Sequence, residues 1–245
     1  MSCTPWRSVP PQRRWMPQSQ FRVDGACGSC ICGNEFIVKL LLSSNANPDG
    51  KQQQGQWTPL FDALFSGRCA IECAAALLDA GATNIDAPLS GSATLLHFAV
   101  QRDNLSALGL LLAHRAHVDK PRLGGATPLY SACQDGRTDA ARVLIGARAD
   151  VNRPRGTGAT PLHVAAAGGH AGCVKLLLAA QASTQVATRE GETPLAMALA
   201  LHEADAASGK WDAAIQLLTL QDEHARPSDT KGGDNALRCQ QRLVS

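Results

Sequence analysis

The chain has 245 residues, of which 44% are hydrophobic and only 4% are aromatic. Small and aliphatic side chains must therefore supply the core, which favours closely packed helices over a β-sandwich, because strands prefer β-branched and aromatic residues. The 23 basic and 21 acidic residues leave a net charge of +2, which excludes a strong bulk attraction to nucleic acid or to an anionic membrane.

Residues 1–20 form a basic, proline-rich segment that predicts a disordered tail. This segment lacks the apolar stretch of a secretory signal, and its prolines would interrupt the amphipathic helix of a transit peptide. No later run approaches the ~20 apolar residues of a membrane span, so no membrane insertion is expected. The nine cysteines are an odd number at irregular spacing. They indicate a reducing compartment, the cytoplasm, with the nucleus as an alternative.

A repeated motif follows this tail. The triplet Thr-Pro-Leu, or Thr-Leu-Leu in one copy, begins at Thr58, Thr94, Thr127, Thr160 and Thr193. The intervals between these threonines are 36, 33, 33 and 33 residues, and an alanine lies five positions after each of them. Three equal intervals in succession indicate a tandem array of one structural unit.

A more divergent unit precedes the first of these motifs. The segment Val38–Leu42 has the same sequence as Val174–Leu178, which extends the register upstream. A Gln-rich insertion at 50–56 precedes the second unit, and an excess of eight residues around 202–210 separates the two helices expected in the last one. The predicted repeat domain covers 21–222, with repeats at about 21–52, 53–88, 89–121, 122–154, 155–187 and 188–222. The polar residues 223–245 predict a second disordered tail.

The unit that begins at Thr160 shows how each repeat is expected to fold. Thr160 before Pro161 predicts a helix start, because the hydroxyl caps a free N–H and proline has none to lose at the first position. Gly168 and Gly169 predict the end of that helix. The apolar stripe of 174–178 predicts a second helix, followed by a loop. One such unit has too little core to be stable alone, so its neighbours must cover it.

These residues resemble the ankyrin-repeat family, whose repeat has about 33 residues and carries the pattern Thr-Pro-Leu-His-x-Ala. The resemblance covers about residues 21–222. It implies an all-α fold, an ankyrin-repeat solenoid of stacked helix-turn-helix units with projecting hairpin loops. These loops would form a row of fingers at about 86–93, 119–126, 152–159 and 185–192. The implied function is protein–protein interaction, as an adaptor or scaffold that needs no cofactor and is monomeric.

The resemblance also places certain side chains on the concave face, where a partner would bind. These residues, centred on repeats two to four, are Trp57, Phe65, Gln101, Arg102, Tyr130, Gln134 and Asp135. Trp, Tyr and Arg are the residues most often found as interface hot spots, which supports a partner-binding role. For Trp57 and Phe65, packing of a terminal repeat is an equal alternative.

A basic strip is expected along the fingers. Lys120, Arg122, Arg153, Arg155 and Arg189 fall on successive finger loops, so stacking of the repeats should align them. The strip predicts a docking site for an acidic peptide or an acidic partner face, while the alternative is an ordinary solvated surface. Nucleic acid is not expected as a partner, because aromatic stacking residues are absent from these loops.

His97 and His163 occupy the histidine position of the repeat motif. In the ankyrin pattern this histidine ties a repeat to its neighbour through hydrogen bonds. No nucleophile recurs beside it, so we predict a structural and not a catalytic role. Asn152 lies in a stretch that resembles the asparagine-hydroxylation acceptor of ankyrin repeats, and the alternative for this residue is a loop-stabilising hydrogen bond.

Two cysteine groups have the spacing of metal ligands. Cys27, Cys30 and Cys32 form C-x2-C-x-C, but zinc would need a fourth ligand and no second pair lies nearby in sequence. Cys69 and Cys73 share one helical face, which suits metal ligation or an apolar stripe. We predict no metal site: the first three are packed or surface thiols, and Cys69 and Cys73 are packed, because buried free cysteine behaves as a small hydrophobe.

The motifs of the common enzyme classes are absent from the sequence. It contains no G-x-x-x-x-G-K-[ST], no H-E-x-x-H, no G-x-S-x-G and no G-x-G-x-x-G after a strand. We therefore predict a non-enzymatic interaction module. The alternative is the targeting or substrate-recognition module of a larger enzyme, such as a kinase, an acyltransferase or a ubiquitin-ligase receptor.

Overall fold

A computed structural model describes residues 34–49, 58–65, 71–204 and 209–225. Both predicted tails, apart from residues 223–225, lie outside these ranges, as do the Gln-rich insertion, Trp57 and the cysteines at 27, 30, 32 and 69. Over the described residues the chain is all-helical and contains no strand. It divides into two units, residues up to Thr83 and residues from Asn84 onward.

The first unit contains three described helices: α1 (Glu35–Ser43), α2 (Pro59–Phe65) and α3 (Ile71–Asp79). Helix α3 packs against both of the others. Its apolar face is completely buried at Cys73, Ala74 and Leu77. Cys73 is therefore a core residue, as its i, i+4 apolar pattern predicts.

The second unit contains four helix pairs. Its inner helices are α4 (Leu95–Gln101), α6 (Pro128–Gln134), α8 (Pro161–Ala167) and α10 (Pro194–Ala204). The outer helices are α5 (Leu105–Ala113), α7 (Thr138–Gly146), α9 (Ala171–Ala179) and α11 (Asp212–Ala225). Each inner helix packs on its own outer helix and on the next inner helix, and the outer helices stack likewise. This nearest-neighbour arrangement is the solenoid that the 33-residue register predicts.

The helix boundaries follow from local chemistry. At the start of α8, the backbone N–H of Thr160 donates to Nδ1 of His163, 3.1 Å away. The hydroxyl of Thr160 in turn accepts from the backbone N–H of His163, which completes a capping box. At the other end, Gly168 caps the helix and Gly169 turns the chain with φ of 64°, as the glycine pair predicts.

Small side chains at one repeated position allow the helix pairs to approach closely. The alanine five residues after each motif threonine is at most 1% exposed at Ala99, Ala132, Ala165 and Ala198. Leucines fill the layers beside them and are fully buried at 96, 129 and 162. Burial of a leucine side chain contributes about 1.5–3 kcal/mol, so this repeated layer supplies much of the stability.

The fingers are four-residue turns with one geometry. In each, the fourth residue donates its backbone N–H to the carbonyl of the first, as Gly125 does to Arg122 (2.9 Å) and Gly158 to Arg155 (2.8 Å). The turns begin at residues 89, 122, 155 and 188, which agrees with the predicted loops. Adjacent fingers are joined by a further hydrogen bond, such as Gly156 N–H to the carbonyl of Gly124 at 3.3 Å.

A second series of hydrogen bonds joins the bases of the fingers. The carboxylate of Asp86 accepts from the backbone N–H of His117 (3.0 Å), and that of Asp119 accepts from Asp150 (3.1 Å). Asn152 continues the series by accepting from the backbone N–H of Ser183 at 2.9 Å. These side chains recur every 33 residues, so each repeat fixes the loop of the next one.

The last repeat differs from the others, as its long insertion predicts. Helix α10 continues to Ala204, and α11 runs to Ala225, past the predicted end of the repeat domain at 222. Trp211 precedes α11, is 8% exposed and donates from Nε1 to the carbonyl of Ala167 at 2.8 Å. This indole therefore ties the last repeat to the one before it.

Candidate functional site

A cavity of about 200 Å³ opens between the inner helices α4 and α6. Four of the residues predicted to bind a partner line it: Gln101, Arg122, Gln134 and Asp135. The register explains why they meet, because Gln101 and Gln134 are one repeat apart at the ends of adjacent inner helices. Arg122 comes from the finger that precedes α6, so helix and finger residues form one site.

Two residues of this site are not among those that the sequence predicted to bind a partner. Phe98 and Ser131 also line the cavity, with Ala93 and His97 completing it. Four positions after the motif threonine, the other repeats have Asp62, Phe98, Val164 and Met197. A polar residue where the three repeats of equal spacing have apolar ones is the signal in the sequence that marks Ser131.

Ser131 is 8% exposed, and its Oγ atom makes no hydrogen bond with the described residues. Most buried hydroxyl groups in folded proteins have a partner, because an unpaired one loses its interaction with water. In this chain the residue with the unpaired hydroxyl lines the wall of a cavity, and its Oγ atom is buried in the free chain.

The charged groups of the cavity are available for binding. Among the described residues, no carboxylate lies within ion-pair distance of Arg122, and no cation lies within that distance of Asp135. Arg122 is half-buried, whereas Asp135 and the two glutamines are exposed. Burial is the main cause that lowers the pKa of His97, and the positive charge of Arg122 lowers it further.

Tyr130 does not lie on the surface, contrary to its expected exposure on the concave face. Its ring is 3% exposed and packs with Ala126, Ala159 and Val164. The reason is that the Tyr130 side of α6 faces the finger of the next repeat and not the open groove. The guanidinium carbon of Arg155 lies 5.8 Å from the ring centroid, so Tyr130 supports a finger arginine from below.

The predicted basic strip is exposed in its later members. Arg153, Arg155 and Arg189 are all exposed. Arg122 and Arg155 start two successive turns and therefore occupy equivalent positions. Lys120 differs from them, because its Nζ donates to the backbone carbonyl of Asp86 at 2.9 Å and so stabilises the base of the finger.

Two other predicted residues, Arg102 and Phe65, are not among those that line the cavity. Arg102 is exposed at the C-terminal cap of α4. Phe65 belongs to the first unit, where it is half-buried and its ring centroid lies 5.0 Å from that of Phe61. Trp57 lies outside the described residues, so its expected role stays a prediction.

The histidines and cysteines have structural environments. Nε2 of His97 lies 3.0 Å from the carbonyl oxygen of Ala126, in the next repeat, which confirms the predicted inter-repeat tie. Cys133 and Cys173 are fully buried. They lie close enough for the Cys133 thiol to lower the pKa of Cys173 to about 7 through a hydrogen bond. Within the described ranges no His, Cys, Asp and Glu side chains group into a metal site.

The described helices also include none that is both long and apolar enough to span a membrane.

Asn152 holds the loop of the following repeat through its side-chain oxygen. This contact is the loop-stabilising hydrogen bond that the sequence allows for this residue.

Comparison with known families places these features among ankyrin repeats. Two overlapping stretches, residues 96–145 and 129–178, match the family model of ankyrin repeats. Both stretches include residues 129–134 of the inner helix α6, among them the cavity-lining Ser131 and Gln134. No curated protein matches the chain.

Several solved ankyrin structures resemble the whole fold. An ankyrin repeat domain from Acinetobacter baumannii AYE is 25% identical with a TM-score of 0.69, over 80% of this chain and 96% of that one. The ankyrin repeat domain of Bcl-3, a member of the IkappaB protein family, is 25% identical with a TM-score of 0.67, over 79% of this chain and 81% of that domain. The ankyrin repeat protein EF0377, at 24% identity and a TM-score of 0.67, covers 81% of this chain and 98% of its own.

Proposed function

This chain is an ankyrin-repeat protein, and from that premise we propose that it is a non-enzymatic adaptor that binds a partner protein through α4, α6 and the adjoining fingers. Ankyrin repeats generally mediate protein–protein interaction. The family supplies the type of function, while the particular surface must come from this chain's own residues, because fold alone does not specify a site.

The observation that supports this surface most strongly is the cavity. It combines a buried hydroxyl that has no hydrogen-bonding partner with a half-buried cation and with exposed carboxylate and amide groups. A buried hydroxyl is normally paired within the protein. Convergence of polar groups on one concave site favours a binding role.

The rigidity of the site suits binding by surface complementarity. The finger that carries Arg122 is held by its own turn and by the hydrogen bond from Leu123 N–H to the carbonyl of Gly91 at 3.0 Å. Helix α6 is fixed by its buried layer at Leu129 and Ala132. A preformed site loses little conformational entropy on association, which improves affinity for a given contact area.

The proposal can be tested by affinity capture with matched variants. The full chain would be used as bait in lysate of the source cell, beside a groove variant, Gln101→Ala/Arg122→Ala/Gln134→Ala. A control variant, Arg142→Ala/Lys175→Ala, changes exposed side chains on the outer helices α7 and α9. We expect the groove variant to lose a protein that the wild type and the control both retain.

Equal capture by all three proteins would contradict the proposed surface. Circular dichroism melting curves of each bait would establish that the groove variant is folded. Because its three positions are exposed or half-buried, their replacement should change the free energy of unfolding by less than about 1 kcal/mol.

A further inference from the structure

The cavity between α4 and α6 is of the size of a side chain. Its volume of about 200 Å³ lies below the roughly 300–1,000 Å³ of pockets that bind small molecules. A water molecule takes up about 30 Å³ in the liquid, so the cavity has room for about seven groups of that size. This is the size of one or two amino-acid side chains. It therefore suits a side chain that projects from a partner polypeptide.

The donors in the cavity favour a carboxylate as the group that enters. A guanidinium only donates hydrogen bonds, so Arg122 requires an acceptor. The hydroxyl of Ser131 and the amides of Gln101 and Gln134 can donate as well. An ionised carboxylate has about four acceptor positions and no donor, and this set of groups can satisfy it.

The negative charge of Asp135 acts less strongly in the cavity than the positive charge of Arg122. Asp135 is exposed, whereas Arg122 is half-buried, and solvent screens an exposed charge more strongly. Arg102 occupies the equivalent position to Asp135 on the preceding repeat and is also exposed. The less screened charge of the lining is therefore the positive one of Arg122, which favours an acidic group over a basic one.

A second cation, Arg155, lies on the next finger, and its Nε donates to the carbonyl of Gly124 at 3.4 Å. Arg155 holds the same turn position as Arg122 on the next finger, and its guanidinium lies over the Tyr130 ring. Packed helices are separated by about 8–10 Å, so adjacent fingers repeat at about that spacing. An extended chain covers this distance in about three residues.

Resting on the proposed function, we propose that this surface recognises an extended acidic segment of the partner protein. One Asp or Glu side chain of the segment enters the cavity and binds Arg122 and the Ser131 hydroxyl. A second carboxylate, about three residues away, binds Arg155. The partner thus supplies the hydrogen bond that Ser131 lacks in the free chain.

The experiment begins with selection of peptides on the full chain. A phage library of random twelve-residue peptides would be panned against the wild type and against Arg122→Gln/Arg155→Gln. We expect the wild type to enrich peptides with two acidic residues about three positions apart, and the variant to lose this enrichment. Enrichment of basic or apolar peptides, or of no peptide at all, would overturn the inference.

Affinities of the best selected peptide would then be measured by fluorescence anisotropy. We expect Arg122→Gln to weaken binding by about tenfold or more, because charge-assisted hydrogen bonds are lost. Asp135→Asn should tighten it by about twofold, whereas a basic occupant would be bound more weakly. The control, Arg142→Gln on the outer face, should leave the affinity unchanged.

Ser131→Ala separates a binding role from a structural one. Its affinity should fall by about fivefold to tenfold, while its thermal midpoint stays unchanged or rises, because the hydroxyl has no partner in the free chain. A lower midpoint with unchanged affinity would assign Ser131 to folding and contradict the proposal.

The same assay can distinguish recognition of a carboxylate from recognition of a phosphate. An oligonucleotide of twelve thymidines would be added as a competitor. Failure to displace the acidic peptide supports carboxylate recognition, and displacement at equal concentration would overturn it in favour of phosphate binding. If the partner captured from lysate still depends on the groove while acidic peptides do not bind, the proposed function stands and only this inference fails.

Discussion

Nε2 of His163 lies 3.1 Å from the carbonyl oxygen of Glu192, in the finger of the following repeat. A carbonyl only accepts, so Nε2 carries the hydrogen. The other ring nitrogen, Nδ1, accepts from the backbone N–H of Thr160 and must be unprotonated. The hydrogen bonds therefore fix one neutral tautomer, which caps its own helix and holds the next repeat.

This arrangement predicts that acid destabilises the protein. Burial lowers the pKa of both His163 and His97 below the usual value of about 6.5. The unfolded chain therefore binds these protons at a higher pH than the folded chain does. The stabilisation is present above about pH 6.5 and is lost as the pH falls through the folded-state pKa values. We expect the urea midpoint to decrease between about pH 7 and pH 5.

The matched control removes both titrating groups. His97→Gln/His163→Gln should be less stable at neutral pH, because each replacement disturbs buried hydrogen bonds at a cost of about 1–3 kcal/mol. Its urea midpoint should also change less over the same pH interval. An equal pH dependence in the wild type and the variant would show that other groups cause the loss.

Gly169 and Gly91 provide a matched pair for the packing between repeats. Both have positive φ, 64° and 66°, so an alanine would be strained at either position by about 1–2 kcal/mol. At Gly169 an added Cβ would lie 2.8 Å from the carbonyl oxygen of Lys210, whereas at Gly91 it would meet nothing within 4 Å. We expect Gly169→Ala to lower the thermal midpoint further than Gly91→Ala.

Equal losses for the two variants would contradict this expectation, because they would mean that the close approach of Lys210 costs nothing. The comparison uses one substitution and nearly one φ value, so backbone strain cancels between the variants. The remaining difference measures the contact between Gly169 and the last repeat.

The helices were predictable because local chemistry determines them. The motif threonine at the start, followed by proline in three of the four cases, and a 33-residue apolar register specify where each inner helix of the second unit begins and which face is buried. The register also places Gln101 and Gln134 at equivalent ends of neighbouring helices, so their meeting in one cavity follows from spacing alone.

Exposure at individual positions was less predictable. Tyr130 is a typical interface residue, but the finger of the next repeat covers its ring. Lys120 belongs to the basic strip by sequence, yet its ammonium group bonds to a backbone carbonyl. Both outcomes depend on how one repeat packs on another, which residue type alone does not determine.

Trp211 is expected to be a main source of stability for the last repeat. Its indole is 8% exposed and donates to the carbonyl of Ala167. Trp211→Ala should reduce the free energy of unfolding by about 3–5 kcal/mol. Trp211→Phe, which keeps an aromatic ring but loses the donor, should cost about 0.5–1.5 kcal/mol for the hydrogen bond in addition to the lost volume. Urea denaturation followed by circular dichroism would measure both values.

The control for this prediction is an exposed apolar residue of the same repeat. Leu199 is 41% exposed, so Leu199→Ala should change stability by only about 0.5 kcal/mol. If Trp211→Ala were no more destabilising than Leu199→Ala, the indole would not be the tie between the last two repeats.

Binding kinetics should distinguish the role of the finger arginines from the role of the cavity residues. Arg153 and Arg189 are exposed, and exposed charges mainly speed the encounter of partners through long-range attraction. Arg153→Gln/Arg189→Gln should therefore slow association with the selected acidic peptide and reduce its dependence on salt. Ser131→Ala should leave the association rate unchanged and accelerate dissociation, because the buried hydroxyl acts only after contact.

Surface plasmon resonance at about 50 and about 200 mM salt would measure both rates, since the Debye length changes from roughly 14 to 7 Å over this range. Lys175→Gln, on the exposed face of α9, removes one charge away from the fingers and should have a much smaller effect on association. If it slowed association as much as the finger variant, net charge and not the position of the arginines would govern the encounter.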